Sequence, residues 1–569
     1  MIKKVSFVSS ILCIAFLATF TSAIISCAST AASGENSSGT AYSKATSSVS
    51  TKTSPVATKT PKAASIIITE KGAVQGILSD DEKVEIFAGI PFAKPPVGDL
   101  RWREPQEPEP WDGVLAADHF APMAMQNEAS RFFNFLINCY VHSKNDRTYK
   151  GPMSEDCLYL NVWRPNRNQN SIADEMPVST DGEKLPVLVY IHGGSLTSGQ
   201  SWYEKYDGAN LAKEGIIVVT VAYRLGVFGY FADKELAAES PNGTTGNYGL
   251  LDQIKALEWV NKNIEAFGGD VNNITIAGES AGSSSVNAIC ASPLAKGLFR
   301  RAIAESSSII QETPPHTFRT MQKAQETGAA IKAEFKCNTV EELRKIPAEK
   351  LIKTKYANNS MTVDGYALPR TPYEIYTDGQ NNEESLLNGF NRQEGFAFAA
   401  FTKVTKKNLY SLLESTFKTR TQEAIDAQNI RTKKQARAYY NDVYSAVCFT
   451  YPHDCWTKTL AAQGKPVYEY FFNKENGELG TMHSGEMIYA YRNVPRTRNY
   501  DQSDYDLEMI ISSYWLNFVK YGDPNGLASD GAPLPEWKTF NESGLLLEFS
   551  ENCRMREDPF MEIYKYFSE

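Results

Sequence analysis

Apolar positions along this chain fall into two patterns. "LPVLVYIHGG" at 185–194 and "GIIVVTVAYR" at 215–224 are almost unbroken apolar runs. A strand covered on both faces reads this way, because neither side-chain direction meets water. Shorter runs of the same kind carry Ile66, Ile67 and Ile68, then Ile274 and Ile276, then Leu386 and Leu387, and finally "PVYEYFF" from Pro466 to Phe472. The second pattern is helical. Between Leu250 and Phe267, Asp252, Ala256 and Trp259 recur at helical spacing, which predicts an amphipathic helix. Strands buried on both faces, with helical segments between and after them, predict an α/β fold.

The first residues break both patterns. Lys3 and Lys4 precede an apolar run from Val5 to Ile25, the layout of an export signal. Ile24-Ile25-Ser26-Cys27 resembles a bacterial lipobox, whose cysteine becomes the lipidated first residue after cleavage. The alternatives are cleavage near Ala23, or retention of the run as an anchor. Residues 28–64 are rich in Ser, Thr, Ala and Lys with little to bury, so they predict a disordered linker. The chain then divides into a signal peptide with lipobox at 1–27, a linker at 28–64 and one folded domain at 65–569.

Composition narrows the classes. Hydrophobic residues make up 42% and charged ones 22%, ordinary for a folded domain with a large core. A net charge of −9, without a basic run, argues against nucleic acid as a partner. Of nine cysteines, Cys139, Cys157, Cys290, Cys337, Cys448, Cys455 and Cys553 fall in the folded part. Export permits disulfides, and the odd number leaves at least one unpaired within the chain. None has zinc-ligand spacing with a histidine, so no metal site is expected.

The candidate chemistry centres on Gly278-Glu279-Ser280-Ala281-Gly282, after the short strand of Ile274 and Ile276 and before the small residues Ser283 to Ser285. This is a G-x-S-x-G nucleophile elbow, in which a strand turns sharply into a helix and the serine at the tip is strained and exposed. Glycines flank the serine because a side chain there would collide across the turn. The helix N-terminus aims backbone N–H groups at the place where an oxyanion would form. The bare pattern also arises by chance in glycine-containing loops. The strand before it and the slim helix after it set this one apart.

Further segments follow one order. They are "FAGIPFAKPPVGDLRW" at 87–102, "PWDGVLAADHFAP" at 110–122, "EDCLYLNVWRP" at 155–165 and "YIHGG" at 190–194. After them come "AYRLGVFGYF" at 222–231, "GNYGLLDQIKALEWVNKNIEAFGGD" at 246–270, the elbow, "FRRAIAESSS" at 299–308 and "PEWKTF" at 535–540. Through these motifs residues 66–560 resemble the type-B carboxylesterase/cholinesterase family. The resemblance implies an α/β-hydrolase fold, with a large, mostly parallel central sheet and helices on both faces, and a serine ester hydrolase without a cofactor. Excursions before Asp156 and between Thr313 and Ile375 would then wall the site.

It also implies roles. Ser280 is the nucleophile. The oxyanion donors carry over to Gly194, Ser195 and Ala281, with Ser195 standing where the family most often has glycine or alanine. Triad order in this fold is serine, acid, histidine. Only His316, His453 and His483 follow Ser280, and only His483 lies in a loop after the late strand at 466–472. The family sets its acid in N-x-x-E-G-x-x-F, matched by Asn391, Glu394, Gly395 and Phe398. From the residues alone, Asp364 and Glu383 stand close behind Glu394. Glu279 and Ser306 match positions that support the nucleophile by hydrogen bonding. The family bridges the cysteine of "EDC" to an upstream one; Ala124 occupies the usual upstream position, and Cys139 is the nearest alternative partner for Cys157. Where cholinesterases carry a choline-binding tryptophan this chain has Arg147, with Tyr149 nearby, which weighs against choline esters. Phe132, Phe133, Phe135 and Leu136 suggest either an apolar entrance or ordinary core.

The expectation is an exported carboxylic-ester hydrolase, secreted or held at a bacterial cell envelope through Cys27. Its partner is a small-molecule ester, and a membrane enters only through the anchor. A lipase or an aromatic-ester (feruloyl-type) esterase would use the same site. A non-catalytic adhesion relative of the fold would lack the serine or the histidine, and this chain has both.

Overall fold

Each apolar run becomes a strand of one thirteen-stranded sheet. The structure is a computed structural model that describes residues 61–127, 151–166, 184–311, 318–356, 359–400, 402–474, 481–497 and 499–567. Cys27, Phe132 to Leu136, Cys139, Arg147, Tyr149 and His316 lie outside these residues. The sheet strands are β1 (Ala63–Ile68), β2 (Ala73–Leu78), β3 (Val84–Pro91), β4 (Val114–Ala116), β5 (Tyr159–Pro165), β6 (Leu185–Ile191), β7 (Ile217–Val221), β8 (Gly269–Glu279), β9 (Arg301–Glu305), β10 (Ser385–Asn391), β11 (Val467–Phe472), β12 (Leu546–Phe549) and β13 (Arg554–Arg556). Their spatial order is β1-β2-β3-β5-β7-β6-β8-β9-β10-β11-β12-β13, with β4 beside β2. From β7 to β12 every neighbouring pair is parallel. The flanking pairs β1-β2, β2-β3, β3-β5, β5-β7 and β12-β13 are antiparallel.

The central strands are covered on both faces, as their composition requires. Val187, Val189 and Ile191 of β6 join one core, which also holds residues of α1 (Tyr248–Asn263) and α2 (Ala281–Ala291). Leu188 and Tyr190 point the other way, into a second core with Tyr514, Trp515 and Phe518 of α4 (Gln502–Tyr521). The two-residue strand period thus divides one apolar run between two layers of helix. At the edge, β1 leaves Ile66 and Ile68 exposed. It begins at Ala63, slightly inside the stretch expected to lack fixed structure.

α1 is amphipathic with a narrow polar stripe: Asp252, Ala256 and Trp259 are all buried. Only Lys255, Glu258, Asn261 and Lys262 reach toward solvent. Asp252 is fully buried because Arg224 meets it twice, Nε at 2.8 Å and Nη2 at 2.7 Å, and the Arg224 backbone N–H donates at 3.0 Å. A buried carboxylate with three donors is tolerated where an unpaired one would not be. Among the described residues no helix is long and apolar enough to cross a membrane.

The parallel strands end at one rim, where open α/β sheets gather their ligand-binding loops. β6, β8, β9, β10 and β11 deliver His192, Ser280, Ser306, Glu394 and His483 there in turn.

Candidate active site

Ser280 caps the N-terminus of α2 with φ 57° and ψ −124°, a conformation that a non-glycine residue adopts only under constraint. The constraint is visible. The Ser280 N–H donates to the Glu305 carbonyl of β9 at 2.8 Å, and the Ser280 carbonyl accepts from Ser284 N–H at 3.0 Å. A Cβ on Gly282 would lie 2.1 Å from the Ile191 carbonyl, and one on Gly278 2.5 Å from Gly282. Both flanking glycines are therefore required by the close crossing of β6, β8 and α2. Ala281 is the first residue of α2, so its N–H has no partner within the helix.

The loop after β6 packs onto this turn. A Cβ on Gly193 would sit 2.5 Å from the Glu279 carbonyl and 3.1 Å from Ser280 Cβ. Gly194, Ser195 and Leu196 all have positive φ, at 103°, 56° and 58°. The His192 carbonyl accepts from the Tyr223 hydroxyl at 2.7 Å, and the two rings stack 4.4 Å apart. Gly194 and Ser195 are half-buried beside the elbow, as is Ser280.

His483 and Glu394 meet because their loops are paired. Gln393 bridges to Met482, and the Gln393 N–H donates to the Thr481 carbonyl at 2.9 Å. His483 Nδ1 then lies 2.5 Å from Glu394 Oε2. The buried Glu394 accepts the Asn391 N–H on Oε1 at 2.7 Å, which orients the carboxylate. A carboxylate only accepts, so Nδ1 holds the ring proton and Nε2 faces away from Glu394. Nε2 stands 3.2 Å from Glu279 Oε1, and among the described residues it makes no hydrogen bond, to Ser280 included. Burial opposes charge on the ring, but the Glu279 and Glu394 carboxylates outweigh it and raise His483 to about 9. Phe398 and Phe449 flank the ring at 5.2 and 4.8 Å. Phe449 is placed by a π-helical turn, Ala446–Thr450, that opens into α3 (Tyr451–Ala462).

Behind this pair the acids are dense. Glu279 Oε1 accepts from the Ser484 hydroxyl at 2.5 Å. Glu486 accepts from Ser306 at 3.1 Å, Tyr470 at 3.0 Å and the Asn391 amide at 2.6 Å. Burial, reinforced by repulsion from Glu394 and Glu279, pushes Glu486 up to about 7. Glu305 accepts from Tyr491 at 3.1 Å and Trp515 at 3.2 Å, and burial with Glu486 and Glu279 nearby raises it strongly.

Comparison with known proteins gives the family. The profile of the carboxylesterase family spans residues 63–567. The chain belongs to the carboxylesterase family. It is 34% identical to a medium-chain fatty acyl-CoA hydrolase precursor of Anas platyrhynchos, over 81% of this chain and 85% of that protein. It is 30% identical to the fumonisin B1 esterase of Sphingopyxis macrogoltabida, over 84% and 85% of the two chains. Carboxylesterase 1C of Rattus norvegicus is 32% identical over 85% and 89%.

In this carboxylesterase His483 meets both Glu394 and Glu279, and the glycine loop after β6 packs against the Ser280 turn. Rival candidates are occupied elsewhere. His453 is buried in α3, forced down to about 3 by burial alone. Glu383 accepts from Tyr376 and Trp456, and Asp364 from Thr244 and two backbone N–H groups. Cys157 is buried and has no disulfide among the described residues, and its expected partner Cys139 falls outside them. Glu305, Tyr470 and Phe449 were not read from the sequence. Glu305 had a signal: an acid directly after the apolar Ala302, Ile303 and Ala304 of β9.

Proposed function

We propose that Ser280 is the nucleophile of a carboxylic ester hydrolase, the activity class of the carboxylesterase family, with His483 as general base and Glu394 as its orienting acid. The observation that carries this reading is the 2.5 Å contact of Glu394 with His483 Nδ1, which leaves Nε2 at the rim beside the Ser280 elbow. Nε2 takes the Ser280 proton as Oγ attacks the ester carbonyl. The negative oxygen is met by the N–H groups of Gly194, Ser195 and Ala281, each contributing on the order of 3 kcal/mol to the transition state. His483 then protonates the departing alcohol. Water, activated by the same nitrogen, releases the acid and restores Ser280.

The reading includes export with lipidation at Cys27, supported by the charged start, apolar run and lipobox of residues 1–27. The substrate is a small ester. The relatives are named for an acyl-CoA, for fumonisin B1 and for carboxylic esters in general, so they do not narrow it.

The test is hydrolysis of p-nitrophenyl esters of increasing acyl length by the full chain and by Ser280→Ala, with fluorophosphonate labelling mapped by peptide mass. Turnover lost in the variant, with the label on Ser280, supports the reading, and the length profile separates esterase from lipase. A folded chain that neither turns over nor labels sinks it and favours a binding role.

A further inference from the structure

The loop that presents the Gly194 and Ser195 N–H groups is glycine-rich and holds strained residues, so its shape depends on the contacts made to it. Gly193, Gly194 and Gly199 lie within it, and Ser195 and Leu196 both have positive φ. It closes on itself where the Thr197 and Ser198 N–H groups donate to the Gly194 carbonyl at 3.1 and 3.0 Å. Gly199 then returns against the start of the loop: a Cβ there would sit 2.6 Å from the Gly193 carbonyl and 2.4 Å from His192 Nδ1.

The side chain that holds Gly199 is Gln126. Its Oε1 accepts the Gly199 N–H at 2.9 Å, and its Nε2 donates to the Gly199 carbonyl at 2.8 Å. Nε2 also donates to the Ala124 carbonyl at 3.1 Å. Gln126 is 4% exposed and lies two residues after the strand Met123–Ala124, which pairs with Met153–Ser154. A planar amide that both donates to and accepts from one residue fixes that residue's rotation as well as its place. Filling space would require neither contact.

We propose that Gln126 is a positioning residue for the oxyanion hole: by clamping Gly199 beneath Gly193 it fixes the direction of the Gly194 and Ser195 N–H groups. The proposal rests on the reading of those groups as oxyanion donors. Preorganised donors act on the charge that develops in the transition state, so misaiming them lowers kcat while the neutral ester still binds.

Two variants test it. Gln126→Glu keeps the shape and one acceptor but sets a carboxylate oxygen against the Ala124 and Gly199 carbonyls. Gln126→Met keeps the length and removes all three hydrogen bonds. The expected result is a kcat about 10- to 100-fold lower with KM within about threefold, short of the full loss of a donor. Affinity for a trifluoromethyl ketone, which mimics the tetrahedral adduct, should fall in parallel with kcat. The acid limb of the pH profile should stay in place, because His483 and Glu394 are untouched. Folded variants with wild-type kcat and ketone affinity overturn the proposal, as does failure of both to fold, which makes the role one of stability. A wild-type chain without turnover or Ser280 labelling overturns the ester-hydrolase reading and this proposal with it. An active, labelled wild type with unaltered variants overturns this proposal alone.

Discussion

Glu279, the residue before the proposed nucleophile, holds its carboxylate 3.2 Å from Nε2 of His483, the nitrogen that must accept the Ser280 proton. In the resting protein that carboxylate favours a protonated ring, and with Glu394 it raises His483 to about 9 against the burial that would lower it. A base must be neutral to work, so kcat/KM for a neutral ester should climb with pH and level off only above about 9. Glu279→Gln removes one of the two nearest negative charges. The acid limb should then move toward neutral pH by about one unit or more. The check is a pH profile of kcat/KM for both forms, and an unmoved limb defeats the argument. Stability runs in the opposite sense. A value raised from 6.5 to about 9 means the contribution of His483 is fully present below pH 6.5 and is lost as pH rises through about 9.

Glu394→Gln tests the orienting role separately. The amide presents an N–H toward Nδ1 or holds the wrong tautomer, so Nε2 no longer accepts a proton. The expected loss is about 10³- to 10⁴-fold in kcat, with KM little changed and the variant still folded. Steady-state kinetics beside circular dichroism measure both. A loss under tenfold would remove Glu394 from the reaction and point to Glu279 or Glu486 as the working acid.

Much of this arrangement could be read from residue order, and the limits have physical causes. The parallel strands were legible because burial on both faces leaves an unbroken apolar run, as in "GIIVVTVAYR". The elbow was legible because its glycines are imposed by backbone collisions under 3 Å, which no other residue survives. Glu394 was legible only through family resemblance: a loop carboxylate looks the same whether it faces water, caps a turn like Asp364 or meets His483. The inner face of α1 was legible from the spacing of Asp252, Ala256 and Trp259, but the pairing of Asp252 with Arg224 was not, because a contact between separate elements has no residue period. Gln126 and Phe449 carried no signal. Their roles come from a loop crossing and from a π-helical turn, neither of which has a residue period.

Gly282→Ala addresses the elbow's geometry rather than its chemistry. The added methyl would lie 2.1 Å from the Ile191 carbonyl, inside any tolerable contact, so α2 must move away from β6. Overpacking of this kind costs about 1–3 kcal/mol. The displacement carries the Ala281 N–H away from Gly194, so kcat should fall by more than about tenfold, since each oxyanion donor is worth about 10²- to 10³-fold. Differential scanning calorimetry and turnover of the same sample report the two effects. Wild-type values in both would show that the turn has more room than the structure allows.

Asp252→Asn should separate stability from activity. Asp252 is fully buried and receives the Arg224 side chain twice and its backbone N–H once. Arg224 is itself 3% exposed, held also by the Arg103 carbonyl at 2.8 Å and lying over the Tyr248 ring at 5.3 Å. It cannot swing into water when its partner loses charge. Removing one member of a buried pair leaves an uncompensated charge and costs about 3–5 kcal/mol. The unfolding midpoint in urea should drop accordingly, while kcat of the folded fraction stays near wild type, because neither residue touches Ser280, Glu394 or His483. The double variant Arg224→Met with Asp252→Leu should lose less than Asp252→Asn alone, because an apolar pair leaves no charge unpaired. A larger loss in the double variant would mean the pair is needed for its hydrogen bonds to the backbone rather than for mutual neutralisation.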